Sequence, residues 1–484
     1  MGGPDPGFRR GDGYEQALTG APAPPMLFNS QAFILLFLPP VLAGYYLLAR
    51  RRAARQVWVI LASLFFYAWW DVRFLPLLVG LTLANWLIAQ LYGRTGNAGV
   101  PVAGIVLNLA ALALFKYADF FRGTFFGLMG DGWQPWDLIL PLGISFFVFQ
   151  KISYLADLRR GDKHIYGFLD FCMFVTFFPQ LIAGPLVRHN EIIGQFDLDP
   201  RRPAMWENLG RGLALFVIGV AKKVALADSL ARIADPLFLK AAHLPLTAAE
   251  AWAATGAYTL QIYFDFSGYT DMAIGLALMF GLTLPFNFDA PYRAVSMRDF
   301  WRRWHMTLSR FLRDYLYIPL GGNRSGPVRQ VANLVLTMLL GGLWHGANWT
   351  FVAWGGLHGG ALAVNHAWAE RGFRLPRAVA WALTLLFVMA TWVLFRSPDF
   401  ATAGRILASL VGVDGFGHIR LDRQDRIVLA AGAAVALLGP TSQVAALQRL
   451  RPHLWVAIPA GVALAWLLLL VGGRLQAAFI YFQF

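Results

Sequence analysis

The chain has 484 residues, 57% of them hydrophobic and only 14% charged, with a mean hydropathy of +0.52. Soluble domains carry about 25% charged residues, so this much apolar surface does not fit one soluble core, and the composition predicts a polytopic membrane protein. The net charge is +14, but the basic residues fall in short clusters between apolar runs, as in Arg50–Arg51–Arg52 and Arg201–Arg202; this is the pattern of positive-inside loops rather than of a nucleic-acid surface, and no nucleic-acid partner is expected.

Residues 1–25 (MGGPDPGFRRGDGYEQALTGAPAPP) are rich in Gly and Pro and lack the apolar core of a signal peptide. They predict a disordered extension, or an upstream start with Met26 as the true initiator. The remainder, 26–484, is expected to be one membrane domain. A spanning helix needs ~20 mostly apolar residues. Candidate spans run over 31–49, 56–70, 73–92, 101–120, 137–156, 167–185, 208–228, 251–280, 331–345, 349–368, 378–396, 427–446 and 454–472. Several are short or polar, so about ten to thirteen transmembrane and re-entrant helices are expected. The basic stretch Arg50–Arg55 after the first run predicts a cytoplasmic loop. The single cysteine, Cys172, lies in an apolar stretch and reads as a packing residue.

Polar residues inside the apolar sequence carry the functional signal. The stretch 177–192 (FFPQLIAGPLVRHNEI) reads as a helix broken at a membrane edge. In 258–275, Asp265 and Asp271 sit among aromatics; such carboxylates bind cations, relay protons or pair with nearby cations, and pairing with the neighbouring Arg cluster is the expected role. The block 286–330 mixes Arg, Asp, Trp, Tyr and Pro, and such backbone is tolerated at membrane depth only where protein or water surrounds it. Short amphipathic helices around a central cavity are therefore expected there. Within WRRWHMTLSRFLRD, helical spacing puts Trp301, Trp304, His305 and Leu308 on one face, with Ser309 at its edge. Arg303, Arg310 and Asp314 point away, and Arg302 and Arg313 lie near the boundary. Such arginines hold phosphates through bidentate contacts, or meet lipid headgroups from an interfacial helix.

His345 follows 40 positions after His305, flanked by Gly341, Gly342 and Gly346, which permit close backbone approach. His358 lies on the next predicted span, and Asn348, Asn365 and His366 are candidates to orient imidazoles. A neutral imidazole takes a proton from a hydroxyl near neutral pH; a lone membrane histidine also serves as a helix–helix hydrogen-bonding residue. Metal chemistry has no support, since H-E-x-x-H and zinc-like Cys/His spacing are missing. There is likewise no G-x-S-x-G elbow, Walker motif or dinucleotide fingerprint.

Seven ordered blocks carry a resemblance: MLFNSQAFILLF, PLGISFFVFQKISYLAD, FFPQLIAGPLVRH, YFDFSGYTDMAIG, FNFDAPYRAVSMRDFWRRWHMTLSRFLRDYLYIPLGGNR, LWHGANWTFVAWGGLHG and the terminal FIYFQF. From about Met26 to Phe484 the chain resembles the membrane-bound O-acyltransferase family. Within it, the chain is similar to the bacterial branch containing the membrane subunit of alginate O-acetylation, and more distantly to the D-alanyl transfer protein of teichoic acid modification. The resemblance implies a ring of tilted helices around a central tunnel, in a multi-pass protein of the bacterial inner membrane. It implies a thioester donor, acetyl-CoA or an acyl carrier protein, with no bound cofactor. It implies as acceptor an exported polysaccharide or a periplasmic partner transferase. His345 matches the family's catalytic histidine and would act as general base; His305 matches its second functional position and would position the thioester or stabilise developing negative charge. Trp304, Arg302, Arg303, Arg310, Asn348 and Ser309 are the candidates to bind donor or line the tunnel. The alternative is a polysaccharide or small-solute transporter or flippase, favoured by the intramembrane Asp265 and Asp271 but weakened by the lack of internal repeats. An inactive export scaffold is a third reading, opposed by the two histidines. FIYFQF is too apolar for a free tail and is expected to pack into the ring or meet a partner.

Overall fold

The computed structural model describes residues 26–130, 132–324, 326–450, 454–472 and 479–480. The predicted disordered extension, 1–25, lies outside them. Among the described residues the fold is helical, without a strand, in keeping with an all-α polytopic membrane protein. In chain order the helices are α1 (Ala32–Leu47), α2 (Arg52–Trp70), α3 (Val72–Thr95), α4 (Gly99–Met129), α5 (Ile144–Arg159), α6 (Phe168–Thr176), α7 (Met205–Ala221) and α8 (Asp228–Ala241). They continue as α9 (Ala248–Met279), α10 (Met297–Trp301), α11 (Met306–Leu312), α12 (Pro327–His345), α13 (Trp349–Glu370), α14 (Arg377–Arg396), α15 (Phe400–Leu410), α16 (Arg423–Leu438) and α17 (Leu454–Gly472).

Among the described residues, α3, α4 and α14 are long and apolar enough to cross a membrane on that measure alone. The others are shorter or more polar, and some of them are enclosed by protein. The clearest case is α9, begun by a Thr247–Glu250 capping box and buried along most of its length. Its contact with α7 is a seam of glycines: a Cβ on Gly212 would lie 2.6 Å from the Gly275 carbonyl oxygen, and one on Gly219 2.6 Å from that of Gly268. Only hydrogen fits at this backbone separation.

Four helix boundaries differ from hydropathy. The apolar run 137–156 is not one helix: α5 starts only at Ile144, after Gly143 adopts φ +72 against the Ile182 backbone. The chain ahead of it is held to α4 by Asp119, which accepts the Trp136 N–H at 2.9 Å, and by Arg122, which lies 3.9 Å over the Trp136 ring. The run 167–185 stops at Thr176, then makes one turn over Phe178–Leu181 and continues as buried irregular chain, so the predicted break is present. The run 208–228 continues into α8 through a π-helical turn, Lys222–Ala227. Helix α15 was not anticipated; Asp399 caps it by accepting the Thr402 N–H at 2.7 Å. The stretch Arg50–Arg55 is not a free loop either. Arg52 lies in α2 and pairs with Asp170 and Asp197, and buried Arg55 donates to the Phe196 carbonyl at 2.6 Å.

The π-helical turn also answers the intramembrane carboxylates. Lys223 meets Asp265 at 2.6 Å and Asp228 at 2.8 Å; Lys222 meets Asp271 at 2.7 Å and Ser442 at 2.6 Å. The carboxylates are paired, as expected, but with these lysines rather than with the Arg cluster. The inserted residue of a π turn changes the register, and here consecutive lysines both reach α9. Asp265 also accepts the backbone N–H of Ile480 at 2.9 Å, and buried Phe479 stacks on Tyr269 at 4.6 Å. The start of FIYFQF therefore packs into the helices, as predicted; residues 481–484 lie outside the described set.

Removing one partner of a buried ion pair costs roughly 3–5 kcal/mol because the other charge stays buried and unmatched. Lys223→Met is therefore expected to lower the unfolding midpoint in detergent markedly. Lys223→Met with Asp265→Leu should recover much of that loss. Equal midpoints for the single variant and wild type would show that the pair carries no such energy.

Candidate active site

The α12–α13 hairpin places His345. A Cβ on Gly342 would lie 2.2 Å from the Phe351 carbonyl oxygen, and one on Gly355 2.2 Å from that of Met338. The two backbones are thus in contact just before α12 ends at His345. Of the three predicted glycines, Gly342 serves the backbone contact; Gly341 faces Leu312 and Gly346 faces the Phe351 ring. The His345 ring is buried, with Trp354 and Phe395 edge-on at 5.3 Å each.

His305 arrives from a different kind of element. The sequence spacing predicted one helix through 301–314, but α10 stops at Trp301 and α11 starts at Met306. His305 sits between them in the left-handed region, φ +43, ψ +52. That conformation disfavours any residue but Gly by roughly 1–2 kcal/mol, so neighbours must hold it. The segment 287–289 does so: Met306 N–H donates to the Asn287 carbonyl at 3.0 Å, and Asp289 N–H to the Arg303 carbonyl at 3.0 Å. The predicted grouping survives the break, since Trp301, Trp304, His305 and Leu308 are all buried.

Asn287 also sets the imidazole. Its Oδ1 accepts the backbone N–H of Thr307 at 3.2 Å, which fixes the amide orientation because that group can only donate. The same Oδ1 lies 3.1 Å from His305 Nδ1. Nδ1 therefore carries the proton and Nε2 the lone pair of the neutral ring. Thr307 Oγ1 donates to Asn287 Oδ1 at 3.0 Å and accepts the Leu186 N–H at 3.0 Å, tying the broken-helix segment to the site. The two histidine rings, 40 residues apart in sequence, lie 6.3 Å apart between centroids.

The other sequence candidates fall in several places. Trp304 stacks on Phe300 and packs on Trp392 in the aromatic core, and among the described residues its Nε1 has no hydrogen-bond partner. Ser309 Oγ closes the turn by donating to the Trp304 carbonyl at 3.4 Å. Asn348 caps α13 through the Thr350 N–H at 3.0 Å and donates to the Pro398 carbonyl at 2.7 Å, so both ends of its amide are engaged. Arg303 pairs with Asp299 at 2.8 Å and Arg310 with Glu191 at 2.6 Å, while Arg302 is exposed. The arginine face is thus largely matched by acids within the protein. His358 accepts from Trp301 Nε1 at 3.2 Å and faces Thr391 Oγ1 at 3.0 Å, the arrangement of a helix–helix hydrogen-bonding histidine. Asn365 accepts the Arg298 N–H, and His366 meets Gln330 and Glu370; neither orients His305 or His345.

Sequence reasoning passed over two groups. Asn287 stood inside FNFDAPY, but nothing in spacing ties it to a residue 18 positions on. Lys116 was legible as a lone cation in the apolar run 101–120; its Nζ reaches the carbonyl of His345 at 3.1 Å.

Two buried histidines are thus held close together at the meeting of separate elements, and comparison with known proteins places the chain in a family. The model of the family described as MBOAT, membrane-bound O-acyltransferase family, matches residues 103–396. The chain belongs to the membrane-bound O-acyltransferase family. It is 42% identical over 435 residues to a peptidoglycan O-acetyltransferase of Helicobacter pylori, covering 82% of each chain. It is also 42% identical to a probable alginate O-acetylase of Pseudomonas putida, covering 85% of each. A teichoic acid D-alanyltransferase of Streptococcus thermophilus is 29% identical over 48% of this chain and 58% of its own. The protein is accordingly a membrane O-acyltransferase.

Leaving a buried donor unmatched costs roughly 1–3 kcal/mol. Asn287→Leu removes the acceptor of His305 and of the Thr307 N–H. It is expected to lower acyl-transfer turnover about five- to hundredfold at normal expression. Wild-type turnover in this variant would show that the His305 tautomer does not matter.

Proposed function

We propose that the protein moves an acetyl group from a cytosolic thioester across the inner membrane to a hydroxyl of an exported polysaccharide, directly or through a periplasmic transferase. The observation that carries this reading is the pair of buried imidazoles, His345 and His305, 6.3 Å apart between centroids. The acetyl group and the polysaccharide acceptor rest on the relatives named for peptidoglycan and alginate acetylation.

His345 serves as general base. It takes the acceptor hydroxyl proton, the alkoxide forms a C–O bond with the thioester carbonyl carbon, the C–S bond breaks, and the thiolate recovers a proton. The tautomer favoured by Asn287 makes His305 Nε2 an acceptor, which suits it to orient a hydroxyl or thiol; stabilising an oxyanion would require the imidazolium. Acetyl-CoA is the simplest donor, an acyl carrier protein the other. Of the three candidate arginines, exposed Arg302 has its charge most available to donor phosphates; Arg303 and Arg310 are occupied by Asp299 and Glu191. The transport reading is weakened by Asp265 and Asp271, whose charges are already matched by Lys223 and Lys222.

The test is thiol release from acetyl-CoA by purified protein in nanodiscs, repeated with acetylated carrier protein and with candidate periplasmic acceptors. Release is expected, and His345→Ala should lower it at least about a hundredfold, the usual share of a general base. Undiminished release from His345→Ala would remove the base assignment. A well-folded protein that consumes neither thioester would overturn acyl transfer.

A further inference from the structure

Helix α12 ends at the proposed base. His345 is its last residue, and Gly346 is extended, so the final carbonyls have no intrahelical partner. Three of them are met from α4. Tyr117 Oη donates to the Leu343 carbonyl at 2.9 Å; Lys116 Nζ donates to the Trp344 carbonyl at 2.6 Å and to that of His345 at 3.1 Å. Lys116 Nζ also lies 3.4 Å from Ser145 Oγ on α5 and 5.9 Å from the Trp344 ring centroid.

Both residues belong to a π-helical turn, Ala113–Tyr117. In a regular α-helix, neighbours diverge by 100°; the widened turn lets 116 and 117 address the same helix end. A cation there complements the negative end of the helix dipole. An ammonium within an apolar span is costly, and among the described residues Lys116 has no carboxylate partner. Its ammonium meets α12 carbonyls, Ser145 and the Trp344 ring.

We propose that Lys116 is a positioning residue for His345. Acting with Tyr117, it prevents the last turn of α12 from fraying and so holds the imidazole at its working position against His305. The proposal rests on His345 being the general base. Lys116 itself touches no reacting atom.

The experiment compares Lys116→Met, Lys116→Arg, Tyr117→Phe and His345→Ala in nanodiscs, measuring kcat, acetyl-CoA KM and unfolding midpoint. Small displacements of catalytic groups cost up to about a hundredfold. Lys116→Met is expected to lower kcat about ten- to a hundredfold with acetyl-CoA KM within about twofold of wild type. Lys116→Arg should recover most of kcat, since it keeps a cationic donor, and Tyr117→Phe should fall between. A kcat for Lys116→Met equal to wild type, beside an inactive His345→Ala, overturns the positioning role and leaves the base intact. A loss that appears in KM, or that merely tracks a lower unfolding midpoint and is not recovered by Lys116→Arg, also overturns it. Activity in His345→Ala would instead bring down the base assignment.

Discussion

Lipid cannot complete a hydrogen bond, so an interruption of a membrane helix has to be closed by protein or by water within the protein. The candidate active site is made of two such interruptions. At one, α10 gives way to α11, and the backbone and amide of Asn287 take the groups that a continuous helix would have satisfied. At the other, α12 stops, and Lys116 and Tyr117 take its last carbonyls. Each break carries one histidine. An imidazole at a helix break has a side chain and a backbone pinned by different neighbours, which makes its position better determined than that of a residue on a free helix end.

The same requirement explains the distribution of charge. The chain is strongly basic overall, and many of its central charges are matched internally: Lys223 and Lys222 by the carboxylates of α9, Arg303 by Asp299, Arg310 by Glu191, and Arg188 by Asp314, while Lys116 is met by helix-end carbonyls instead. Isolated charge at these depths would cost several kcal/mol. A neutral imidazole costs far less to desolvate than an ion, and His305 also keeps a hydrogen bond, to Asn287.

Small residues and large rings then divide the packing. Glycine pairs bring α7 onto α9 and α12 onto α13 at backbone contact. Trp354, Trp304 and Trp392 fill the wider spaces between helices; Trp354 packs against both His345 and His358. The consequence is a wall of packed aromatic rings beside His345. It also separates the histidines by surroundings: His358 meets Trp301 and Thr391, whereas the rings of His345 and His305 lie 6.3 Å apart between centroids.

Much was legible in the sequence because hydrophobicity and local chemistry are properties of neighbouring residues. Composition alone determined a membrane protein, and a lone histidine or carboxylate in an apolar run declared itself without any structure. The ordered motifs located His305 and His345 and the family to which the chain belongs. Glycine spacing at 341, 342 and 346 announced a close approach, though only Gly342 makes it through backbone. What the sequence could not decide was everything settled by partners far away along the chain. Helical periodicity ran straight through Arg302–His305, because the interactions that break the helix come from Asn287 and Asp289. Arginines read as ligands for phosphate because Glu191 lies 119 positions from Arg310. Asp265 and Asp271 declared that they needed cations but not which ones, since a π-helical turn, rather than residue spacing, brings Lys222 and Lys223 to them. The identity of the two histidines belongs to the sequence. Their meeting, and the tautomer of His305, belong to the tertiary structure, because only contacts across the fold set distance and proton position.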